Sequence, residues 1–339
     1  MPILRLHGAQ RVAHSEDLVI ICLTSINMSY NKFMNISPLQ LDEFAASVLA
    51  VPPLARRADL SLDVEQNRKL IHHIEAGGHR TLLYGGNANI YHCSIHDYAR
   101  LLELLAANTA ATTRVIPAIG PDFGKMMDQA RLLRASDFRT AMVLPMQGFS
   151  TPEGVAEGIS RFVDFTGIPV TLYLKSEAYL DIGRLGRLVD EGRIVAVKYA
   201  VLRDDPVEDV YLQDLVERIS AARVVSGMGE RPALVHLSRF GLASFTTGSG
   251  CIAPKASMRL LQALKHRDVA TAEAIHARFL PLEDLRESIS LIRVLHDAVT
   301  LSGIADMGAH LPLLSASPAD RWAEIKMQAD VLAAFEQSC

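Results

Sequence analysis

The sequence lacks the cysteine spacing of a disulfide scaffold or of a metal-binding knuckle. No CxxC motif is present, which argues against a zinc knuckle and against a thioredoxin-type redox site. We therefore expect free thiols, as in a protein of a reducing compartment. The 339 residues contain four widely separated cysteines, Cys22, Cys93, Cys251 and Cys339.

A long apolar run is also missing. No stretch approaches the ~18 consecutive apolar residues that a membrane-spanning helix needs. The apolar run at 18–23 follows Glu16 and Asp17, and it is too short and wrongly flanked for a signal peptide. We therefore expect a cytoplasmic protein without membrane association. A transit peptide remains the alternative, because no acidic residue precedes Glu16.

Neither sign of charge is in large excess. Lys and Arg number 34 against 38 for Asp and Glu, which gives a formal net charge of −4. This balance argues against a nucleic-acid partner. Aromatic residues make up only 6% of the chain, but 49% hydrophobic and 21% charged residues rule out wholesale disorder. The length alone fits either two domains of ~150 residues or one α/β barrel of ~250 residues.

What the sequence does contain is a regular alternation of short apolar runs and amphipathic stretches. The runs are rich in Val, Ile, Leu and Ala, as in strands that are buried on both faces. The amphipathic stretches at 62–76, 95–106, 153–165, 182–191 and 207–221 carry helix signals. The eight apolar runs span residues 47–52, 81–86, 114–119, 140–146, 170–175, 194–200, 222–227 and 242–248.

This alternation predicts parallel strands joined by right-handed crossovers, and hence a (β/α)8 TIM barrel of the α/β class. A doubly wound open sheet would show the same alternation and is the structural alternative. We expect the barrel domain at 46–268, after an N-terminal extension at 1–45. Helical patterns at 270–280, 284–300 and 320–337 predict a C-terminal helical appendage at 269–339, which is a candidate oligomer surface.

Two residues at strand ends are candidates for chemistry, since barrel sites lie at the carboxyl ends of the strands. The alternation within 194–200 turns Lys198 toward the barrel interior. Burial there would lower its pKa and free a nucleophilic amine, unless the lysine pairs with a carboxylate or extends out of the strand end. Tyr173 has the matching parity on the preceding strand. It is either a proton relay beside Lys198 or a tyrosine that fills the barrel.

Two small-residue turns and a histidine pair are less specific. In GGNAN at 85–89, Asn87 and Asn89 offer amide donors, although a plain turn explains the composition equally well. The turn at 246–254 contains GSG, which would suit a phosphate group. His92 and His96 are four residues apart, but no carboxylate motif supports them. We therefore expect no metal.

The ordered set of these features resembles the dihydrodipicolinate synthase / N-acetylneuraminate lyase family over about residues 46–320. The resemblance implies a barrel with a C-terminal helical bundle, assembled as a tetramer or dimer. It also implies class I lyase chemistry without a metal or organic cofactor. By this resemblance Lys198 forms a Schiff base with a 2-oxo acid, and Tyr173 moves the proton. The matching segments are GGNAN at 85–89, TLYLK at 171–175, VAVKYA at 195–200, SGMGE at 226–230 and the turn after the eighth run.

The resemblance also implies a substrate pocket. Backbone N–H groups of the turn at 86–88 would hold the carboxylate of the 2-oxo acid, and Lys175 and Glu230 are candidates for recognising other polar groups. The expected substrate-binding residues are Gly86, Asn87, Ala88, Asn89, Lys175, Gln147, Glu230, Ala243 and Thr246.

Several positions depart from the family pattern. Asn87 and Ala88 replace hydroxyl residues, and Met146 and Gln147 stand where the synthases have a relay tyrosine segment. Ala178 stands near the place of a carboxylate-binding arginine. Dihydrodipicolinate synthesis is therefore not expected. The expected reaction is aldol cleavage or condensation, or dehydration, of a 2-oxo acid such as a 2-oxo-3-deoxy sugar acid or a related hydroxy-oxo acid. The alternatives are a phosphate-sugar barrel enzyme without imine chemistry and a catalytically decayed family member.

Overall fold

The computed structural model describes residues 39–339. Most of the expected N-terminal extension, residues 1–38, lies outside the described residues. Eight parallel strands close into a barrel, because the first strand pairs with both the second and the eighth. The strands are β1 (Leu49–Ala50), β2 (Thr81–Tyr84), β3 (Arg114–Ile119), β4 (Ala141–Val143), β5 (Val170–Leu174), β6 (Ile194–Tyr199), β7 (Val224–Ser226) and β8 (Ser244–Thr247).

Helices follow the strands along the chain and complete the (β/α)8 fold. The predicted barrel is confirmed, and the open-sheet alternative is wrong because the sheet has no free edge. None of the described helices is long and apolar enough to cross a membrane. The helices are α1 (Leu41–Ala46), α2 (Val64–Ala76), α3 (Ile95–Asn108), α4 (Phe123–Arg134), α5 (Pro152–Thr166), α6 (Ile182–Asp190), α7 (Val210–Ile219), α8 (Ala233–Phe240), α9 (Pro254–Lys265), α10 (Val269–Ser288), α11 (Leu291–Leu301) and α12 (Trp322–Gln337).

The barrel helices begin where the sequence supplies side-chain caps. The Ser94 side chain accepts the N–H of Asp97 at the start of α3. Asp63 and Asp181 cap α2 and α6 in the same way. These local signals place the helices between the strands, and the buried apolar faces of the helices then cover the outside of the barrel.

Helix α1 lies in the segment that was expected to be an extension, and it packs on the barrel. Its Phe44 is buried, and Glu43 forms a two-point ion pair with Arg114, with 2.8 Å between Nη2 and Oε1. Arg114 is a buried cation at the start of β3, so this ion pair offsets part of the cost of burying its charge. Residues 41–46 therefore belong structurally with the amino-terminal end of the barrel, opposite the carboxyl ends of the strands.

Helix α10 corrects one prediction in the C-terminal part. The patterns at 270–280 and 284–300 suggested a break near Pro281, but α10 continues through Pro281 to Ser288. Leu282, Glu283, Leu285 and Arg286 are buried against the rest of the protein, so packing supports the helix across a residue that lacks an N–H. The continuous helix carries charged side chains to the mouth of the barrel.

Candidate active site

A cavity of about 390 Å³ opens at the carboxyl ends of the strands. Its wall combines strand ends, the turns that follow β2, β7 and β8, and one face of α10. The polar and glycine lining residues include Gly86, Asn87, Tyr173, Lys175, Lys198, Gly227, Thr246, Gly248, Glu283 and Arg286.

Lys198 is the central group of this cavity. Its side chain extends from β6 and is only 4% exposed. Burial first, and then the positive charges of Lys175 and Arg286, lower the pKa of the Lys198 ammonium from 10.5 to about 7. Within residues 39–339, no carboxylate lies within ion-pair distance of the amine. A large fraction of Lys198 is therefore the neutral, nucleophilic amine near neutral pH.

Tyr173 lies directly beside Lys198, at the position that the strand parity predicts. The two residues are Cα partners in β5 and β6, and Lys198 Nζ lies 3.9 Å from the centroid of the Tyr173 ring. Burial raises the pKa of the Tyr173 phenol well above its ordinary value. The phenol therefore keeps its proton at neutral pH and can donate it to a reacting atom. Lys175 Nζ approaches the same ring at 5.8 Å.

The turn after β2 brings Gly86 and Asn87 into the cavity wall. One N–H of the Asn87 side-chain amide donates to the carbonyl of Val51, with 2.7 Å between Nδ2 and O. Within residues 39–339, the backbone N–H groups of residues 86–88 donate to no protein acceptor. Unpartnered amides of this kind suit an anion.

Ala88 and Asn89 do not line this cavity, contrary to the expectation for them. Both lie behind the turn, around a separate small void that His296 also lines. Asn89 adopts a left-handed backbone (φ 51°), and its N–H bonds to the carbonyl of Gly86 at 2.8 Å. The tight turn thus places the Ala88 and Asn89 side chains at this void and not in the cavity. The backbone N–H of Ala88 is the only polar group that this residue can offer an anion.

Sequence reasoning missed a charged pair from α10. Arg286 Nη1 donates to Glu283 Oε1 at 2.5 Å, and the hydroxyl of Ser249 donates to the same oxygen. Both charged side chains are almost fully buried and line the cavity. The sequence did contain one signal. A Glu and an Arg stand three residues apart among leucines, and charged residues are rare on a helix face that packs against the rest of a protein.

Glu230 is placed differently from its expected role. Its carboxyl is fully buried behind Thr247, whose hydroxyl donates to Glu230 Oε1. Burial, and then the nearby charge of Glu283, raise the pKa of Glu230 to about 8. Glu230 is therefore largely protonated at neutral pH. It supports Thr247 and the turn after β8 from behind the cavity wall.

Three further expectations have simple outcomes. Thr246 lines the cavity, whereas Ala243 lies at the opposite end of the strand, where its N–H bonds to the carbonyl of Val224 at 3.0 Å. The predicted eighth run starts before β8, which begins at Ser244, and this explains the error. Gln147 is exposed on the loop after β4 and does not line the cavity.

Two alternative site chemistries find little support in the geometry. His92 and His96 are exposed, and residues 39–339 contain no cluster of metal-ligating side chains. In the GSG turn, the Ser249 hydroxyl bonds to Glu283, and the N–H of Gly250 bonds to Thr247 Oγ1 at 2.7 Å. Protein partners thus occupy the groups that a phosphate would need, and a carboxylate lies beside them.

Glycines make room for the charged side chains of the cavity. A Cβ at Gly227 would stand 2.8 Å from Lys198 Cγ, and one at Gly229 would stand 2.8 Å from Glu283 Oε2. A Cβ at Gly248 would overlap the guanidinium of Arg286. At these three glycines the backbone therefore approaches the charged side chains more closely than a residue with a Cβ would permit.

The closed barrel, with a polar cavity at the carboxyl ends of its strands, places the protein in the class of (β/α)8 barrels that carry their site at this end. The model of the dihydrodipicolinate synthetase family matches residues 48–328, and the chain belongs to that family. This confirms the resemblance seen in the sequence. Members of the family are lyases or synthases of the class I aldolase type.

Solved structures share the fold at low sequence identity. Dihydrodipicolinate synthase from Oceanobacillus iheyensis has a TM-score of 0.74 at 17% identity, and the match covers 88% of this chain and 100% of that chain. YagE, a prophage protein of E. coli K12 crystallised with pyruvate, has a TM-score of 0.71 at 18% identity over 84% and 98% of the two chains. N-acetylneuraminate lyase from Fusobacterium nucleatum has a TM-score of 0.71 at 14% identity over 85% and 98%. No functionally curated protein matches the sequence.

Proposed function

We propose that the protein is a lyase that acts on a 2-oxo acid through a Schiff base at Lys198. The observation that carries the proposal is the buried Lys198 amine, which has a pKa of about 7 and no carboxylate partner within residues 39–339. A buried lysine without a partner destabilises the fold when it is charged. An amine of this kind, open to a cavity, is suited to attack a carbonyl.

The reaction begins when Lys198 Nζ attacks C2 of the 2-oxo acid. The N–C2 bond forms, and the C2 oxygen leaves as water after it gains two protons. The resulting iminium accepts the electron pair from the bond that breaks next. That bond is C3–H before loss of a hydroxyl group, or C3–C4 in an aldol cleavage. Tyr173, beside Nζ, donates and accepts the proton in these steps.

The carboxylate of the 2-oxo acid fits the amides of the turn at 86–88, which lack protein acceptors within residues 39–339. Its negative charge would compensate part of the positive charge around Lys198. The pyruvate in the YagE crystal structure is itself a 2-oxo acid, which supports this substrate class. We propose a 2-oxo-3-deoxy sugar acid or a related hydroxy-oxo acid as the substrate, without a metal or organic cofactor.

The proposal includes the organisation of the chain. We place the barrel domain at 46–268 and the helical appendage at 269–339, with assembly into a dimer or tetramer in the cytoplasm. Sedimentation of the purified protein would test the assembly, since a monomer at micromolar concentration would contradict it.

Borohydride trapping tests the chemistry directly. The protein is incubated with each of a panel of 2-oxo acids, reduced with borohydride, and analysed by intact mass and peptide mapping. We expect an irreversible adduct on the peptide that contains Lys198. The Lys198→Met variant should stay folded and form no adduct. Absence of an adduct with every acid, in a sample shown to be folded, would overturn the proposal.

A further inference from the structure

Arg286 has hydrogen-bond donors to spare. A guanidinium carries five N–H groups. The protein uses one for Glu283 Oε1 at 2.5 Å and a second, from Nε, for the carbonyl of Leu291 at 3.4 Å. Within residues 39–339, Nη2 has no acceptor. The side chain is only 4% exposed and lines the cavity, so the remaining donors are buried in the cavity wall.

The cavity also holds more positive than negative charge once the proposed imine forms. The iminium at Lys198, the ammonium of Lys175 and the guanidinium of Arg286 all border it. Lys175 makes no ion pair within the described part of the chain. Its Nζ lies 5.8 Å from the centroid of the Tyr173 ring.

The carboxylates near the cavity compensate only one of these charges. Glu283 pairs with Arg286. Glu287 also borders the cavity, but its Oε1 pairs with Nε of Arg231 at 2.8 Å. Arg231 does not line the cavity. Glu230 stands behind the wall and is largely protonated at neutral pH. Two positive charges therefore remain without a protein carboxylate. One is the iminium at the buried Lys198, and the other is the ammonium of Lys175, whose side chain is exposed at the mouth of the cavity.

We propose that the substrate carries two carboxylates, and that Arg286 selects for the second one. The proposal rests on the imine chemistry proposed above, because that chemistry places the first carboxylate and the iminium in the cavity. An arginine with spare, fixed donors is suited to a planar carboxylate. The substrate class is thus a 2-oxo dicarboxylic acid, and helix α10 carries the residue that determines this specificity.

Concentration-dependent borohydride trapping tests this selectivity. The first probe is 2-oxoglutarate. The second is 5-methyl-2-oxohexanoate, in which an isopropyl group replaces the second carboxylate at similar size. The third is 2-oxo-4-phosphonobutanoate, which carries a phosphonate. We expect half-saturation of the Lys198 adduct at a concentration about tenfold lower for 2-oxoglutarate than for the isopropyl analogue.

Variants assign the selectivity to Arg286. In Arg286→Met the ratio between the two acids should fall to within about twofold of unity. Because that variant leaves Glu283 unpaired, the double variant Glu283→Gln/Arg286→Met is made in parallel and should behave the same way. Arg278→Met removes an exposed arginine from the same helix and should leave the ratio unchanged.

The outcomes are separable. Equal half-saturation by the two acids in the native protein, or an unchanged ratio in both variants at Arg286, would overturn the dicarboxylate proposal alone. Tighter binding of the phosphonate than of 2-oxoglutarate would also overturn it, in favour of a phosphorylated substrate. Absence of any adduct would instead overturn the imine chemistry on which the proposal rests.

Discussion

The amine of Lys198 lies 3.9 Å from the centroid of the Tyr173 ring, over its face. An aromatic face attracts an ammonium by about 2 kcal/mol when both are desolvated, which would raise the pKa of the lysine. The pKa is instead lowered from 10.5 to about 7, a difference of the order of 5 kcal/mol in the opposite direction. Burial therefore outweighs the ring contact, and near neutral pH a large fraction of Lys198 faces the Tyr173 phenol as the neutral amine.

Replacing Lys175 tests how a neighbouring positive charge affects the pKa of the Lys198 amine. Lys175 is the second cause of the lowered pKa of Lys198, after burial. In Lys175→Met the pKa of Lys198 should rise by about half a unit to one unit. The pH midpoint of adduct formation, measured by trapping between pH 5.5 and 9.5, should move upward by the same amount. Lys69→Met, an exposed site on α2, should leave the midpoint in place. A midpoint that does not move in Lys175→Met would contradict the electrostatic account.

Tyr173→Phe separates imine formation from proton transfer. The ring and its packing remain, while the hydroxyl is lost. We expect the variant to form the Lys198 adduct to a similar extent. Exchange of the C3 hydrogens of a bound 2-oxo acid with D₂O should slow by about 10²- to 10⁴-fold. Proton NMR of pyruvate measures that exchange. Equal exchange rates in the two proteins would remove Tyr173 from the proton path.

Gly227→Ala tests the close approach of backbone to Lys198. The added Cβ would stand 2.7 Å from the carbonyl oxygen of Tyr199 and 2.8 Å from Lys198 Cγ. We expect a loss of about 1–3 kcal/mol in the free energy of unfolding, with slower adduct formation. Gly124→Ala in α4 meets no atom closer than 3.5 Å, and it should be neutral or stabilising by up to about 1 kcal/mol. Urea denaturation compares the two, and equal stability of both variants would contradict the steric argument.

Glu230→Gln should change the pH dependence of stability. The pKa of Glu230 is raised from 4.5 to about 8 in the folded state, so the folded protein holds a proton that the unfolded chain releases between these values. The wild type should therefore lose stability as the pH rises from about 4.5 to 8. The glutamine side chain keeps an oxygen that can accept the hydrogen bond from the Thr247 hydroxyl, and the side chain is uncharged at every pH. We expect the variant to match the wild type near pH 4.5 and to exceed it at pH 8.5 in urea denaturation. A constant difference across this range would contradict the prediction.

The pairing of Tyr173 with Lys198 was predictable because a strand alternates its side chains with a period of two and parallel neighbours stay in register. The extent of each strand was not. The run at 140–146 contains only the three-residue β4, and the run at 242–248 begins before β8. A run of apolar residues indicates that the segment is buried. The strand itself ends where the backbone hydrogen bonds to the neighbouring strands end. The misplacement of Ala243 and the overextended fourth run share that cause.

Arg286 and Glu283 escaped the sequence analysis for a different reason. The strand-end rule that found Lys198 applies only to residues within the barrel. A helix that crosses the mouth of the barrel contributes side chains to the cavity from one face. The 3.6-residue period of the sequence identifies that face, but it does not identify the part of the protein against which the face packs. Ala88 and Asn89 were misplaced by backbone geometry, because the left-handed conformation at Asn89 turns the chain away from the cavity.

The path of α10 has a consequence for the order in which the protein acquires its properties during synthesis. Lys198 and the eight strands leave the ribosome before residues 283 and 286 do. The guanidinium that helps to lower the pKa of Lys198 arrives only after α10 is made. Until then, the pKa of Lys198 lacks the part of its lowering that comes from Arg286, the third cause after burial and Lys175.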